Sequence, residues 1–343
     1  PRPAREGRGG PPAPPPPPSP FPPPRPPHGW VQHCTVSRRR AGQIPPSPMT
    51  GEHSIALPGG GRCSLLVERA GLLVIEQHLD DGWCYRWLLR RGDALQVQSL
   101  LRCTHTELYT RTPRTRSQSV LFDRSWLAPQ YHRAMLAAFS LRPDRTKPLK
   151  RMLHVGVGAG VLAMAIASVQ EPHTAVLQDC VESDVIALAL GRTYFGLVPG
   201  PLLRLHTTRA ELFIPTISPH TYDVVLVDVS STCKGSTGSL TTVHSSVEEE
   251  SVPPRYWRSA RALASLRGIL RPGGLLLVNT LNLCPTALAD FEYLMREQFG
   301  ARSVAELRCD EGNIVLVSGA SESLGQWSPV SDCDDGIAFR LIE

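Results

Sequence analysis

Three alternating glycines and a carboxylate further along the chain have the spacing of a nucleotide-binding site. Gly156, Gly158 and Gly160 end an apolar strand predicted over 152–156, and an alanine-rich apolar helix follows them. Glycine lets the backbone bend tightly and approach a ligand without an intervening Cβ. Glu182 lies 22 residues after Gly160, where a carboxylate accepts hydrogen bonds from the two hydroxyls of an adenosine ribose. The pairing predicts a Rossmann-like cofactor site; the alternatives are a tight turn without a ligand and a solvated Glu182.

The segment 150–318 contains the elements that must position these residues. Apolar strands and helices alternate through it, which implies a mainly parallel sheet with helical crossovers. The sequence predicts strands at 152–156, 175–181, 202–206, 222–228 and 274–279, helices near 160–170, 184–194, 254–269 and 286–299, and a terminal hairpin of 304–308 and 313–317.

Ahead of this segment, residues 51–118 are predicted to form a small antiparallel β meander and a linker. Short apolar runs are separated by glycine-containing turns, and residues 104–118 are predicted to be a polar connection. A helix over 131–141 then leads into the sheet. The predicted strands of the meander are 63–67, 72–77, 83–90 and 95–101.

The first 50 residues differ in composition from those that follow. Residues 1–48 hold 18 of the 33 prolines, a composition that favours extended polyproline II and does not bury a core. Residues 1–50 carry seven arginines and one acid, a net charge of +6. Because the net charge of the whole chain is +5, the remaining residues are close to neutral. We expect a solvated, disordered tail at 1–50 and an irregular tail at 319–343. Because Met49 is the first methionine, we hypothesise that the native chain starts there.

Composition argues against several classes of protein and site. The near-neutral remainder shows no basic stripe for a specific nucleic-acid partner. Its longest apolar stretch, 152–169, contains the glycines and His154, so no membrane span is predicted. The nine cysteines include no C-x-x-C pair, which argues for reduced thiols in a cytoplasmic compartment and against structural zinc. We therefore expect a cytoplasmic protein without a metal site.

Several segments together resemble one family. In order and spacing, the sequence from 85 to 318 resembles the spermidine-synthase-like class I methyltransferases, a family that includes the C-terminal domain of the elongation factor 1-alpha lysine and N-terminal methyltransferase. The resemblance implies an α/β fold with a Rossmann-like seven-stranded sheet over 119–318, preceded by the small meander. The segments that carry it are 125–127, 131–135, the glycine loop, 181–184 with 195–196, 222–229, 252–254, and 269–274 with 278–279.

The resemblance also assigns roles by position. Gly156, Gly158 and Gly160 would lie against the methionine part of S-adenosylmethionine, and Glu182 would hold the ribose. Asp228, after the fourth strand, would lie near the methionine end of the cofactor and the acceptor, as the candidate catalytic residue. Open α/β sheets bind ligands at this place, outside the carboxyl ends of the strands. From the residues alone, Asp228 has the alternative role of capping the following turn.

Three features depart from the family pattern. Arg209 stands where the family has an aspartate for the adenine amino group, and a guanidinium only donates hydrogen bonds. After Asp228 the chain has Ser230 and Cys233 in place of further acids, and 233–251 is longer than the family loop. These departures leave open a non-catalytic relative that keeps the fold as an interaction module. A polyamine synthase is disfavoured, since the second aspartate of its catalytic segment is absent.

The favoured function is methylation of a protein amine, with S-adenosylmethionine as cofactor and, by resemblance, a translation elongation factor as substrate. Neutralising a lysine costs about 3.5 kcal/mol more than neutralising an α-amine, so a site with few bases slightly favours a protein N-terminus. Burial of a lysine lowers its pKa and reduces this cost, so the sequence does not decide between the two acceptors. Tyr131 and His132 are expected to pack rather than to react. The sequence does not show the oligomeric state; the related synthases often dimerise, and by that analogy alone the meander is a candidate homodimer interface.

Overall fold

The structure is a computed structural model that describes most of the chain between residues 60 and 319. The predicted tail at 1–50, except residues 33–34, and the loop at 231–250 lie outside the described residues. The described residues are 33–34, 57, 60–80, 82–92, 95–108, 117–144, 147–168, 175–230, 251–300, 303–319 and 337–342.

An antiparallel sheet forms the N-terminal part. Its strands run in the order β1-β5-β4-β3-β2, and β6 also pairs with β5. The predicted meander is present, but the predicted linker is wrong at both ends, because β5 continues to Leu108 and β6 begins at Ser117. Threonine favours strands, and Thr104 and Thr106 lie in the part of β5 that pairs with β6. The strands are β1 His33–Cys34, β2 Arg62–Arg69, β3 Leu72–His78, β4 Cys84–Arg91, β5 Leu95–Leu108 and β6 Ser117–Asp123.

The second sheet is mixed, with the order β14-β12-β13-β11-β10-β7-β8-β9. Strands β7 to β11 are parallel to one another, and β13 is antiparallel to both of its neighbours. Without the edge strand β14, this arrangement is the Rossmann-like seven-stranded sheet of the class I methyltransferase fold. Its strands are β7 Arg151–Val155, β8 Leu177–Glu182, β9 Leu203–Thr207, β10 Tyr222–Val227, β11 Leu270–Thr280, β12 Val304–Cys309, β13 Ile314–Gly319 and β14 Ile337–Leu341.

The predicted irregular C-terminal tail is wrong over 337–341, because β14 pairs antiparallel with β12 along that length. Ile337 and Phe339 alternate with more exposed residues and pack against the core. This short alternation is the signal of a half-buried edge strand. The sequence prediction was based on the Ser-, Gly- and Asp-rich composition of the segment before β14, and it therefore overlooked this strand.

Helices cover both faces of the second sheet, as the alternating pattern predicts. The predicted helix at 254–269 is shorter than expected, because a 3-10 turn at Arg255–Arg258 precedes it, and the four-residue α4 was not predicted. None of the described helices has both the length and the apolar character needed to cross a membrane. The helices are α1 Gln130–Ala137, α2 Val161–Ser168, α3 Val185–Tyr194, α4 Ala210–Phe213, α5 Ala260–Ile269 and α6 Pro285–Phe299.

The two sheets share one apolar core. Leu72, Val74, Leu88 and Leu101 of the N-terminal sheet are fully buried in the same cluster as the apolar side chains of α2. Burial of apolar area on this scale is the main stabilising contribution to such packing. The N-terminal sheet is therefore held against the α/β sheet on the side where β7 ends and α2 begins.

Candidate functional site

The glycine loop connects β7 to α2 and turns beside the end of β10. Gly156, Gly158 and Gly160 have φ values of 82°, 56° and 82°, all in the left-handed region that favours glycine. A Cβ on Gly156 would overlap the backbone carbonyl oxygen of Asp228. The loop therefore passes so close to the chain after β10 that only glycine fits at this position.

Glu182, the last residue of β8, is bonded to this loop. Its Oε2 accepts hydrogen bonds from the backbone N–H groups of Val157 at 2.9 Å and Gly158 at 3.0 Å. Its Oε1 accepts from the N–H of Asp184 at 2.9 Å. A carboxylate has about four acceptor positions, so Glu182 retains capacity on Oε1. The carboxylate therefore lies directly against the glycine loop.

Asp228 follows β10 directly and faces both α1 and β11. Its Oδ1 accepts a hydrogen bond from Asn279 Nδ2 at 2.9 Å, and its Oδ2 accepts from the Tyr131 hydroxyl at 3.1 Å. The Nε2 of His132 lies 3.7 Å from Oδ2, and the Asp228 side chain is 26% exposed. The carboxylate is thus fixed from three sides and keeps one accessible side.

Electrostatics keep the Asp228 carboxylate charged. Burial by itself raises the pKa of Asp228, but His132, Asn279 and Tyr131 together hold that pKa below its ordinary value. Burial, followed by the Asp228 charge, raises the pKa of Tyr131 well above that of a free phenol. At neutral pH the structure therefore places a donating phenol against an ionised carboxylate.

The sequence did not indicate the partners of Asp228. It predicted packing roles for Tyr131 and His132, whereas the structure places both side chains against the carboxylate. His132 is buried, and its Nδ1 has no hydrogen-bond partner among the described residues. Tyr131 and Asp228 are 97 positions apart, so no local spacing signals their contact. The one available signal was the presence of two polar aromatic residues on a short helix next to the sheet.

Strand β5 of the N-terminal sheet lies along one side of the site. Ser99 Oγ accepts a hydrogen bond from the backbone N–H of Ala159 at 3.0 Å, although the two residues are 60 positions apart. Ser230 Oγ, just after Asp228, donates to Gln98 Oε1 across a long 3.5 Å. The N-terminal sheet therefore takes part in the site, which the sequence did not predict.

At the end of β9, Arg209 lies where the resemblance places an acceptor for adenine. Its side chain is 70% exposed, and its Nε lies 3.6 Å from Glu211 Oε2. The preceding N–H, that of Thr208, donates to the Glu182 carbonyl oxygen at 3.1 Å. The guanidinium thus extends into solvent along α4, while the threonine turn stays beside Glu182.

Comparison with known proteins found similar chains among the solved structures. No protein-family model and no curated protein sequence matches this chain. A solved structure of a probable spermidine synthase from Corynebacterium glutamicum is 17% identical, covers 71% of this chain and 88% of its own, and gives a TM-score of 0.49. Human methyltransferase-like protein 13, solved in complex with SAH, is 22% identical, with coverages of 62% and 86% and a TM-score of 0.43. A SAM-dependent methyltransferase from Agrobacterium tumefaciens is 17% identical, with coverages of 85% and 99% and a TM-score of 0.39.

Proposed function

We propose that this chain is an S-adenosylmethionine-dependent methyltransferase that acts on a protein amine. The observation that carries the proposal is the convergence of the glycine loop, Glu182 and Asp228 at the carboxyl ends of three adjacent strands, β7, β8 and β10. In the sheet, β8 and β9 follow one another on one side of β7, whereas β10 and β11 follow one another on its other side. The strand order therefore reverses between β7 and β10. Open α/β sheets bind their ligands at such a reversal of strand order.

The charges around the loop suit this cofactor better than a dinucleotide. Glu182 ends β8 and the ionised Asp228 follows β10, and these two strands flank β7, from which the glycine loop leaves. Two carboxylates attract the sulfonium and ammonium groups of S-adenosylmethionine and repel a pyrophosphate. Glu182 also offers the acceptor that a ribose diol requires. Gly156, Gly158 and Gly160 would border the methionine part, Glu182 the ribose, and Asp228 the methionine end next to the acceptor.

Methyl transfer requires positioning rather than covalent work by the protein. The cofactor supplies a methyl group already activated on its sulfonium, so the protein has to align the acceptor amine behind that group. Asp228 is placed to accept an N–H of the amine and thereby orient its lone pair. Because the pKa of Asp228 is lowered, the residue serves as a charged acceptor and is a weak base. Tyr131 and Asn279 keep the carboxylate in place as positioning residues.

Tyr131→Phe is expected to raise the pKa of Asp228, because it removes a hydrogen bond that stabilises the charged form. A hydrogen bond to a charged group contributes about 1.5 kcal/mol, which corresponds to about one pH unit. Because the acceptor amine itself titrates at much higher pH, the shift is measured on the carboxyl group directly: ¹³C NMR of Asp228 should show its pKa higher by about that amount in Tyr131→Phe. The exposed Tyr293 provides the control variant Tyr293→Phe. An Asp228 pKa that is unchanged in Tyr131→Phe would contradict the role of the hydroxyl in keeping this carboxylate ionised.

The acceptor that we propose is an N-terminal α-amine or a lysine of a translation factor such as elongation factor 1-alpha, in the cytoplasm. Support comes from the resemblance of the sequence segments and from the carboxylate beside the proposed methyl position. A neutral amine is required, so the methylation rate of a peptide should rise with pH through about 7.7–8.0 for an α-amine and toward about 10.4 for a lysine. Burial of the acceptor shifts either value.

Mass spectrometry of translation factors incubated with the enzyme and isotope-labelled S-adenosylmethionine tests the acceptor directly. We expect a labelled methyl group on one N-terminus or one lysine, and none with a Glu182→Ala control. Label that requires the enzyme but lies on a carboxylate, a histidine or a small molecule would contradict the protein-amine proposal. Blocking the N-terminus of the labelled factor by acetylation then separates the two amine classes.

One specific observation favours a second function, a non-catalytic interaction module. The N–H groups of Val157 and Gly158 already bond to Glu182, and that of Ala159 bonds to Ser99. A ligand would have to replace some of these internal partners, and Arg209 adds no acceptor for adenine. A folded chain that shows no thermal stabilisation by S-adenosylmethionine at millimolar concentration would support this function.

A further inference from the structure

Four side chains of types that bind metals converge on the N-terminal sheet, away from the candidate cofactor site. Glu76 and His78 lie on β3, Cys84 on β4 and His105 on β5. One donor atom from each residue lies within 4.8 Å of the corresponding atoms of the other three. We propose that these residues form a structural zinc site that ties the three strands together.

The register of the strands accounts for the convergence. His78 pairs directly with Cys84 across β3 and β4, and Cys84 pairs with Cys103 across β4 and β5. Residues two positions apart on a strand share a face, so Glu76 lies on the face of His78 and His105 lies on the face of Cys103. The strand register therefore brings the four side chains to one face of the sheet, although their positions in the sequence are irregularly spaced.

Neighbouring donor atoms of the four residues lie close together, and His78 contacts a different ligand through each of its ring nitrogens. Cys84 Sγ lies 3.1 Å from His78 Nδ1, and Glu76 Oε1 lies 3.2 Å from His78 Nε2 and 2.9 Å from His105 Nε2. Zinc bonds of about 2.0–2.3 Å place tetrahedral donors roughly 3.3–3.8 Å apart. These contacts are slightly shorter than zinc requires, and one ion binds only one nitrogen of His78, so the ring has to turn until that nitrogen faces the other three donors.

The chemistry of the donor set suits zinc. Zinc is bound in proteins by thiolate, imidazole and carboxylate ligands, usually four in a structural site. A mixed set with one sulfur and two nitrogens is less suited to magnesium or calcium, which prefer oxygen ligands.

The glutamate side of the proposed zinc site is buried and held by an arginine, whereas the histidine side is partly exposed to solvent. Arg86 Nε donates to Glu76 Oε2 at 2.8 Å, which orients the carboxylate and leaves Oε1 directed at the histidines, as partners of metal ligands commonly do. The side chain of Glu76 is 7% exposed, whereas those of His78 and His105 are 39% and 27% exposed. The imidazole side thus provides the path by which an ion enters.

The sequence predicted no metal site because the cysteines form no C-x-x-C pair. Here a single cysteine acts together with two histidines and a glutamate, and only the pairing of three strands brings them together. A hydrogen-bonded cluster without a metal is the competing arrangement, in which Cys84 S–H donates to His78 Nδ1 and both histidines donate to Glu76.

Cobalt titration of the chelator-treated full chain separates the two arrangements. We expect one Co²⁺ per chain, with the thiolate-to-cobalt absorption and the intense visible bands of a tetrahedral site, and displacement of Co²⁺ by Zn²⁺. Cys84→Ser should lose the thiolate absorption and bind Zn²⁺ at least about a hundred-fold more weakly, because even partners of metal ligands contribute about 10–100-fold to affinity. Cys103→Ser is the matched control, since Cys103 is a buried cysteine that pairs with Cys84 and lies outside the four ligands.

A second measurement needs only the wild-type chain and so does not depend on the folding of a variant. Zn²⁺ should slow alkylation of Cys84 in the native protein while the exposed Cys284 reacts at an unchanged rate, as peptide mass spectrometry would show. The proposal is overturned if the folded wild type binds no Co²⁺, if Cys84→Ser keeps the thiolate absorption, or if Zn²⁺ leaves the alkylation of Cys84 unchanged.

Discussion

Asp228→Asn is expected to lower kcat for methyl transfer by about a hundred-fold or more, the effect of removing one pre-oriented charged group from a transition state. Asparagine has nearly the same shape as aspartate, and the neighbouring Tyr131 hydroxyl and Asn279 amide retain a hydrogen-bond partner in it. The variant loses the negative charge that the surroundings of Asp228 maintain at neutral pH. Single-turnover kinetics with labelled cofactor and the identified acceptor measure the chemical step alone.

The division of the effect between kcat and KM identifies the role. Loss of an interaction with the aligned amine lowers kcat and kcat/KM together, whereas a purely structural defect appears as lower thermal stability. Asp290→Asn, on the exposed face of α6, is the matched control and should leave kcat unchanged. Normal turnover in a folded Asp228→Asn protein would show that another residue orients the acceptor.

Glu182→Ala is expected to abolish the thermal stabilisation by S-adenosylmethionine and by its demethylated product. Hydrogen bonds to a charged group contribute about 1.5–3 kcal/mol each, so losing a pair that binds the ribose lowers affinity by more than about a hundred-fold. The same carboxylate bonds the N–H groups of Val157 and Gly158, so the variant also loses order in the loop.

Glu182→Gln separates these two contributions. An amide retains one acceptor oxygen for the loop or the ribose and presents a donor in place of the other oxygen, so we expect intermediate stabilisation by the cofactor. The control is Glu297→Ala at an exposed position of α6, which should show the full wild-type shift in Tm. A wild-type shift in Glu182→Ala would place the ribose elsewhere.

The elements of the α/β sheet could be predicted from the sequence because their signals are local. The apolar run before Gly156 and the helical segment after Gly160 each predict their own element, and the alternation of elements predicts a parallel sheet. That arrangement brings the loop and Glu182 to the same edge of the sheet, where the structure shows them hydrogen-bonded to each other.

Other parts of the site depend on contacts between distant segments, which local patterns do not report. Tyr131 and His132 reach Asp228 because α1 packs next to the strand ends, and Ser99 reaches Ala159 because the two sheets share a core. The four residues of the proposed zinc site depend likewise on strand register. A shift of one residue would turn His105 to the opposite face.

Isothermal titration of the wild-type chain with S-adenosylhomocysteine tests most directly whether the site at the glycine loop binds an adenosyl cofactor. The structure leads us to expect saturable heat with one site per chain, reduced to the heat of dilution in Glu182→Ala. Absence of binding to the folded wild type at millimolar ligand would contradict the proposed function, as would wild-type affinity in Glu182→Ala.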